Sequence, residues 1–195
     1  MPRVSDSRAK MVRAAAKLFR RQGYAATGWR QVIAESRTPW GSQAHHFPGG
    51  KVQLATEALD LAGREYEALL RHVLTTSGPA EAVRQWMGAA AHQLKLSGWA
   101  DGCPVATVAL ESAADSEVLA AACDSAFSSW RVALSESLAA AGINDPTESL
   151  ALTILAGIEG GLLLARAARD ENVLRRVGDE LADLIQAKMP QPTAR

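Results

Sequence analysis

From Ser5 to Gln22 the apolar positions Met11, Ala15, Leu18 and Phe19 recur at helical spacing, while Arg13, Lys17, Arg20 and Arg21 fall elsewhere on the turn. That periodicity predicts an amphipathic helix, with Gly23 placed to end it in a left-handed cap. A second, short helix is expected after Thr27, whose hydroxyl suits the N-cap, with Trp29, Val32 and Ile33 facing inward. Thr38 and Pro39 read as the cap and first turn of a third helix. Pro48-Gly49-Gly50 stops that helix at about Phe47. Three short helices within about fifty residues, the third brief and preceded by a turn, describe a helix-turn-helix unit.

Beyond that point the pattern lengthens. Lys51 to Leu74 carries Ala55, Ala58, Leu59, Ala62, Tyr66, Leu69 and Val73 along one stripe, and Ser77-Gly78-Pro79 ends it. Further helices are expected over Pro79–Leu96, Pro104–Ala114, Ser116–Ala141 (stopped by Gly142), Pro146–Arg169 and Asn172–Lys188. No fixed-period repeat interrupts this succession. The expected organisation is a helix-turn-helix domain at residues 1–50, a helical body at 51–189 and a disordered tail at 190–195. Hydrophobic residues make up 48% of the chain but aromatics only 5%, and Ala and Leu abound. Such a composition favours packed helices over strands, so an all-α fold of about nine helices follows.

The opening MPRVSDSRAK has no apolar run of the signal-peptide kind. The longest apolar stretch, near Ile154 to Ala168, is broken by Glu159 and Arg166, which argues against a membrane span. Two cysteines, Cys103 and Cys123, make no disulfide framework. A soluble, cytoplasmic protein without a membrane partner is expected.

The net charge of zero conceals a division. Residues 1–51 hold ten lysines and arginines against only Asp6 and Glu35, a balance of +8, and the remainder holds eleven against nineteen, or −8. A basic module joined to an acidic body suggests contact with a polyanion. No nucleophile elbow, phosphate loop or metal-spaced cluster supports an enzyme. The adjacent His45 and His46 project about 100° apart on a helix, a poor pair of metal ligands, so no metal or cofactor is expected. Either histidine could serve as a helix-end hydrogen-bonding residue.

The segment RAKMVRAAAKLFRRQGYAATGWRQVIAES, followed by HHFPGGK, resembles the DNA-binding domain of TetR-family transcriptional regulators. The first helix, the Gly-Tyr-x-x-Thr junction and the His-Phe-x-x-x-Lys end carry the likeness. Gly102 to Glu111, GCPVATVALE, resembles the LmrA-like branch of that family. The motifs cover residues 8–59 and 102–111. The resemblance implies a homodimer with two helix-turn-helix heads on a ligand-binding body, bound to a double-stranded DNA operator and released by a small hydrophobic effector. It assigns Thr27 and Lys51 to phosphate contacts and Gly41, Ser42, His45 and His46 to the major groove or its flanks. Phe47 falls on the core side.

Departures from the family pattern fall in the same segment. Arg37 stands where the turn usually has a glycine tolerant of positive φ, and Trp40 where a basic residue is common. Gln43 replaces a buried Leu and Ala44 a Tyr. Arg37, Trp40 and Gln43 are therefore counted among the DNA-facing residues, with two readings open for Trp40: outward onto thymine methyls or sugars, or inward to fill the space of the missing Leu.

In the body, Trp86, Trp99, Phe127 and Trp130, with Cys103 and Val105 on the intervening segment, suit an apolar ligand pocket. The last two helices supply Leu150, Ile154, Gly157, Ile158, Gly161, Leu162, Ala165, Val177, Leu181 and Leu184 at helical spacing. Interior glycines cost about 1 kcal/mol each relative to Ala, which close approach of another helix would explain. The resemblance places the two-fold dimer interface there; a cap on the chain's own core is the alternative. The function expected is a repressor released from a palindromic operator by a small hydrophobic ligand. The competing readings are a dimeric ligand-binding protein with weak operator binding and, less in keeping with the motifs, an enzyme.

Overall fold

A computed structural model of the chain describes residues 4–146 and 148–190, with side chains from residue 7. The expected tail beyond Pro190 lies outside the described residues. Nine helices run through them, with no strand: α1 (Val4–Gln22), α2 (Trp29–Ser36), α3 (Ser42–His46), α4 (Gly50–Ser77), α5 (Pro79–Leu96), α6 (Pro104–Ser112), α7 (Glu117–Ala140), α8 (Ser149–Ala168) and α9 (Glu171–Lys188). The all-α fold agrees with the helical periodicity.

The chain forms two compact units, one of Met1–Glu65 with Gly102–Phe127, the other of Tyr66–Asp101 with Ser128–Arg195. The sequence reading draws a boundary at residue 50. In the structure, α6 and the first part of α4 group with the amino-terminal helices instead.

In the first unit α1 packs on α2 and α6, and α3 also meets it. Met11, Ala15 and Phe19 of α1, Val32 of α2, Leu54, Ala55 and Leu59 of α4 and Val105 and Val108 of α6 are buried. Each large apolar side chain removed from water contributes about 1.5–3 kcal/mol. Gly23 ends α1 with φ 85, as expected, and its N–H donates to the Phe19 carbonyl at 3.0 Å.

In the second unit α5 lies along α9, and α8 packs on both. Val83, Met87, Ala91 and Leu94 form the buried stripe of α5, facing Leu174, Leu181, Ala182 and Ile185 of α9. The crossing is close at Gly178, where a Cβ would stand 2.8 Å from the Met87 Cβ. Arg84 of α5 reaches Asp183 at 2.5 Å and Asp179 at 3.4 Å, and Lys95 reaches Glu171 at 2.7 Å. Such solvated pairs contribute about 0–1 kcal/mol each, so the apolar stripe holds the pair together. α8 starts later than Pro146 because the Asp145 carboxylate accepts from the Leu150 and Ala151 N–H groups at 2.8 and 3.3 Å.

Candidate nucleic-acid interface

α2 begins at Trp29 with Gly28 as its N-cap, and the Gln31 side chain accepts from the Gly28 N–H at 2.9 Å. Thr27 is neither the cap nor open to a phosphate. It is 1% exposed, its hydroxyl donating to the Gly23 carbonyl at 2.7 Å and accepting from Gln22 Nε2 at 3.3 Å. Buried hydroxyls take the nearest acceptor, and here that acceptor closes the α1–α2 junction. The expected phosphate contact at Thr27 is corrected accordingly.

At its other end α2 finishes in a Schellman motif. The Thr38 N–H donates to the Ile33 carbonyl and the Arg37 N–H to the Ala34 carbonyl, both at 3.4 Å. Arg37 adopts φ 52 and ψ 43, the left-handed conformation expected of its place in the turn. Thr38 does not cap α3. Its hydroxyl pairs with that of Ser36 at 2.8 Å, both residues being buried, so the helix starts only at Ser42 with Gly41 as N-cap. Pro39 opens an intervening turn, closed by the Ser42 N–H on the Pro39 carbonyl at 3.0 Å.

α3 is therefore only five residues long and depends on its anchors. Phe47, buried at its end, meets the Trp29 ring at 5.9 Å and lies under the Arg8 guanidinium at 5.8 Å. Gln43 fits this seat poorly: its Oε1 is buried without a hydrogen-bond partner. Trp40 is 57% exposed, which excludes the reading in which it folds inward. Gly41, Ala44 and His45 are exposed beside it, and Ser42 and His46 are half-buried. The two imidazoles touch, with centroids 4.9 Å apart.

Arg37 is exposed, and so is Arg30 on the outer side of α2; neither pairs with a carboxylate among the described residues. The sequence reading missed Arg30. Its signal was a cation on a short helix, away from Val32. Lys51, at the start of α4, holds its ammonium 4.1 Å from the Tyr24 ring centroid. Burial lowers its pKa, and the Glu111 charge opposes that shift. The surface thus presents cations and an exposed indole around a rigid turn, the chemistry of phosphate and groove contact.

Residues 79–180 match the family described as transcriptional regulator LmrA/YxaF-like, C-terminal domain. Over 184 residues the chain is 35% identical to the HTH-type transcriptional regulator LmrA of Bacillus subtilis, covering 93% of this chain and 97% of that one. The chain belongs to the TetR family. The HTH-type transcriptional regulator YxaF of the same organism is 34% identical over 185 residues, 94% of this chain and 97% of its own. Among solved structures, a TetR transcriptional regulator from Chloroflexus aurantiacus aligns with TM-score 0.79 at 25% identity, covering 97% of this chain and 98% of that one. The regulatory protein TetR from Rhodobacter sphaeroides aligns with TM-score 0.79 at 20% identity, covering 92% and 98%. This TetR-family, LmrA-like chain is a helix-turn-helix transcriptional regulator, not an enzyme.

The residues expected to line an apolar pocket divide between the two units. In the second unit Tyr66 stands edge-on to Trp86 and Trp130, with ring centroids 6.1 and 5.7 Å away. Trp99 is half-buried at φ 67. In the first unit Val105 is buried, Phe127 half-buried, and the buried Cys103 caps α6, its sulfur accepting from the Ala106 N–H at 3.4 Å. Cys123 is also buried, which pushes its thiol up to about 11.

The expected dimer residues need revision. Leu150, Ile154, Ile158, Gly161 and Ala165 of α8 and Leu181 of α9 are buried within the chain itself. A Cβ at Gly157 would meet Leu181 Cδ1 at 2.9 Å, and one at Gly161 would meet Met87 Cε at 3.0 Å and Val177 Cγ1 at 3.3 Å. The close approach that these glycines permit is therefore to the chain's own α5 and α9. Leu162 and Val177 are half-buried, and Leu184 is exposed. What α8 leaves outward is Leu152, Leu163 and Leu164, each more than half exposed, with Ala156 and Gly160 between them.

Proposed function

We propose that the protein is a cytoplasmic homodimeric repressor that holds a palindromic DNA operator and leaves it when a small hydrophobic ligand binds. The observation that carries the DNA reading is the exposed face of α2, the left-handed Arg37 turn and α3, where Arg30 and Arg37 pair with no carboxylate among the described residues. In this reading residues 1–50 form the head and 51–189 the body. Arg30, Arg37, His46 and Lys51 meet phosphates, while Trp40, Gly41, Ser42 and His45 face the groove; Gln43, counted with them from the sequence, turns its carbonyl inward instead.

The outward leucines of α8, joined by Leu184 of α9, support a second copy as partner, since an apolar face of this kind calls for cover. A Cβ at Gly160 would meet nothing within 4 Å, which leaves room for a facing helix. By length and composition α8 could cross a membrane, but its packing on α5 and α9 favours a bundle helix. In the second unit the Tyr66, Trp86 and Trp130 cluster, with Trp99, supports an apolar effector.

An electrophoretic shift with genomic DNA fragments, repeated with candidate ligands while tryptophan fluorescence is followed, tests this. Quenching that tracks loss of the shift is expected. A second reading, a dimeric ligand-binding protein with weak operator binding, is favoured by the unpartnered Gln43 carbonyl, which loosens the seat of α3. Ligand-stabilised melting without any DNA shift would establish that alternative.

A further inference from the structure

α6 is fastened to the DNA-binding helices at both of its ends. At the first, the Gly102 N–H donates to the Arg20 carbonyl near the end of α1 at 2.9 Å. At the second, Glu111 Oε2 accepts from the Ala25 N–H at 2.8 Å, in the loop between α1 and α2. The fit there is tight. A Cβ on Gly23 would come within 1.9 Å of Glu111 Oε1, so the carboxylate occupies the space that this glycine leaves open.

Two segments of the head converge on this carboxylate. The Gly23 carbonyl beside it holds the Thr27 hydroxyl, and Thr27 leads directly into α2. On the other side the Glu111 charge acts on Lys51, whose ammonium covers the ring of Tyr24 in the same loop. Glu111 thus touches the approach to α2 and bears on the opening turn of α4. Glu111 itself is exposed, and its hydrogen bond goes to the α1–α2 loop.

We infer that Glu111 is the positioning residue of the DNA-binding head: its carboxylate pins the α1–α2 loop so that α2 and Lys51 keep the spacing that the phosphate contacts require. The inference rests on the DNA-binding reading above. A charge-assisted hydrogen bond of this kind is worth about tenfold or more in an equilibrium when lost. No bond to DNA is involved, and alanine and glutamine remove the same charge beside Lys51, so the difference between the two variants reads the geometry.

Glu111→Ala and Glu111→Gln in the full chain provide the test, since glutamine keeps an acceptor oxygen and alanine does not. Amide exchange needs no DNA and reads the loop directly. In Glu111→Ala the Ala25, Thr27 and Gly28 amides should exchange about tenfold faster, and DNA affinity should fall by about tenfold. Glu111→Gln should lie within about threefold of the parent in both readouts. Unchanged exchange at those amides in Glu111→Ala would overturn the inference. So would a lower melting midpoint in both variants with undiminished DNA affinity, the signature of a merely stabilising contact. If the parent chain binds no DNA, the function reading fails, while the exchange data still decide whether Glu111 pins the loop.

Discussion

Arg37 holds a left-handed turn with a side chain where glycine would sit without strain, and that choice has two consequences. Arg37→Gly should stabilise the fold by about 0.5–1 kcal/mol, raising the melting midpoint by about 1–4 °C. A lower midpoint would contradict the strain. The same change should weaken DNA binding, because it removes an exposed cation that pairs with no carboxylate among the described residues. Gln43 offers a second measurable cost, its carbonyl being buried without a partner. Gln43→Leu should raise stability by about 1 kcal/mol, read as a higher urea midpoint at unchanged slope. Lys51→Ala should weaken binding to all DNA sequences about equally and reduce the salt slope by about one unit. An unchanged slope would remove Lys51 from the phosphate contacts.

Helix boundaries were legible wherever glycine or proline punctuated the chain: Gly23, Gly78 and Gly142 all take positive φ at helix junctions. The start of α3 was not legible, because Thr38 has the composition of a cap yet spends its hydroxyl on Ser36. Thr27 misled for the same reason, a hydroxyl engaged by a neighbouring carbonyl rather than by the helix ahead of it. The contact of Glu111 with Ala25 joins residues 86 apart, and no local pattern reports such a bond. Which face of α8 turns inward was equally hidden. With Ile154 and Ile158 on one side and Leu152, Leu163 and Leu164 on the other, an all-round apolar helix gives its periodicity nothing to point with. A mutational test of the interface therefore belongs on the outward face of α8. Gly161→Leu should destabilise the fold by about 1–3 kcal/mol through overpacking against Met87 and Val177. Leu163→Glu with Leu164→Glu should instead leave the helix content intact and yield monomers in sedimentation. A stable dimer of that variant would place the interface elsewhere.

Charge division and family membership bear on how the whole protein works. The basic first 51 residues, at +8, suit a phosphate backbone, while the remaining −8 disfavours approach of DNA to the body. A hydrophobic effector can lower operator affinity only by binding more tightly to the conformation that fits DNA less well. Two identical heads related by a two-fold axis require an operator whose halves mirror each other, centred about one helical turn apart or a multiple of it. Selection of bound sequences from a random DNA pool by the full chain therefore tests the proposed repressor most directly. An enriched inverted repeat with half-sites at that spacing is the expected result. Enrichment of a single, unpaired half-site, or of no sequence at all, would contradict it.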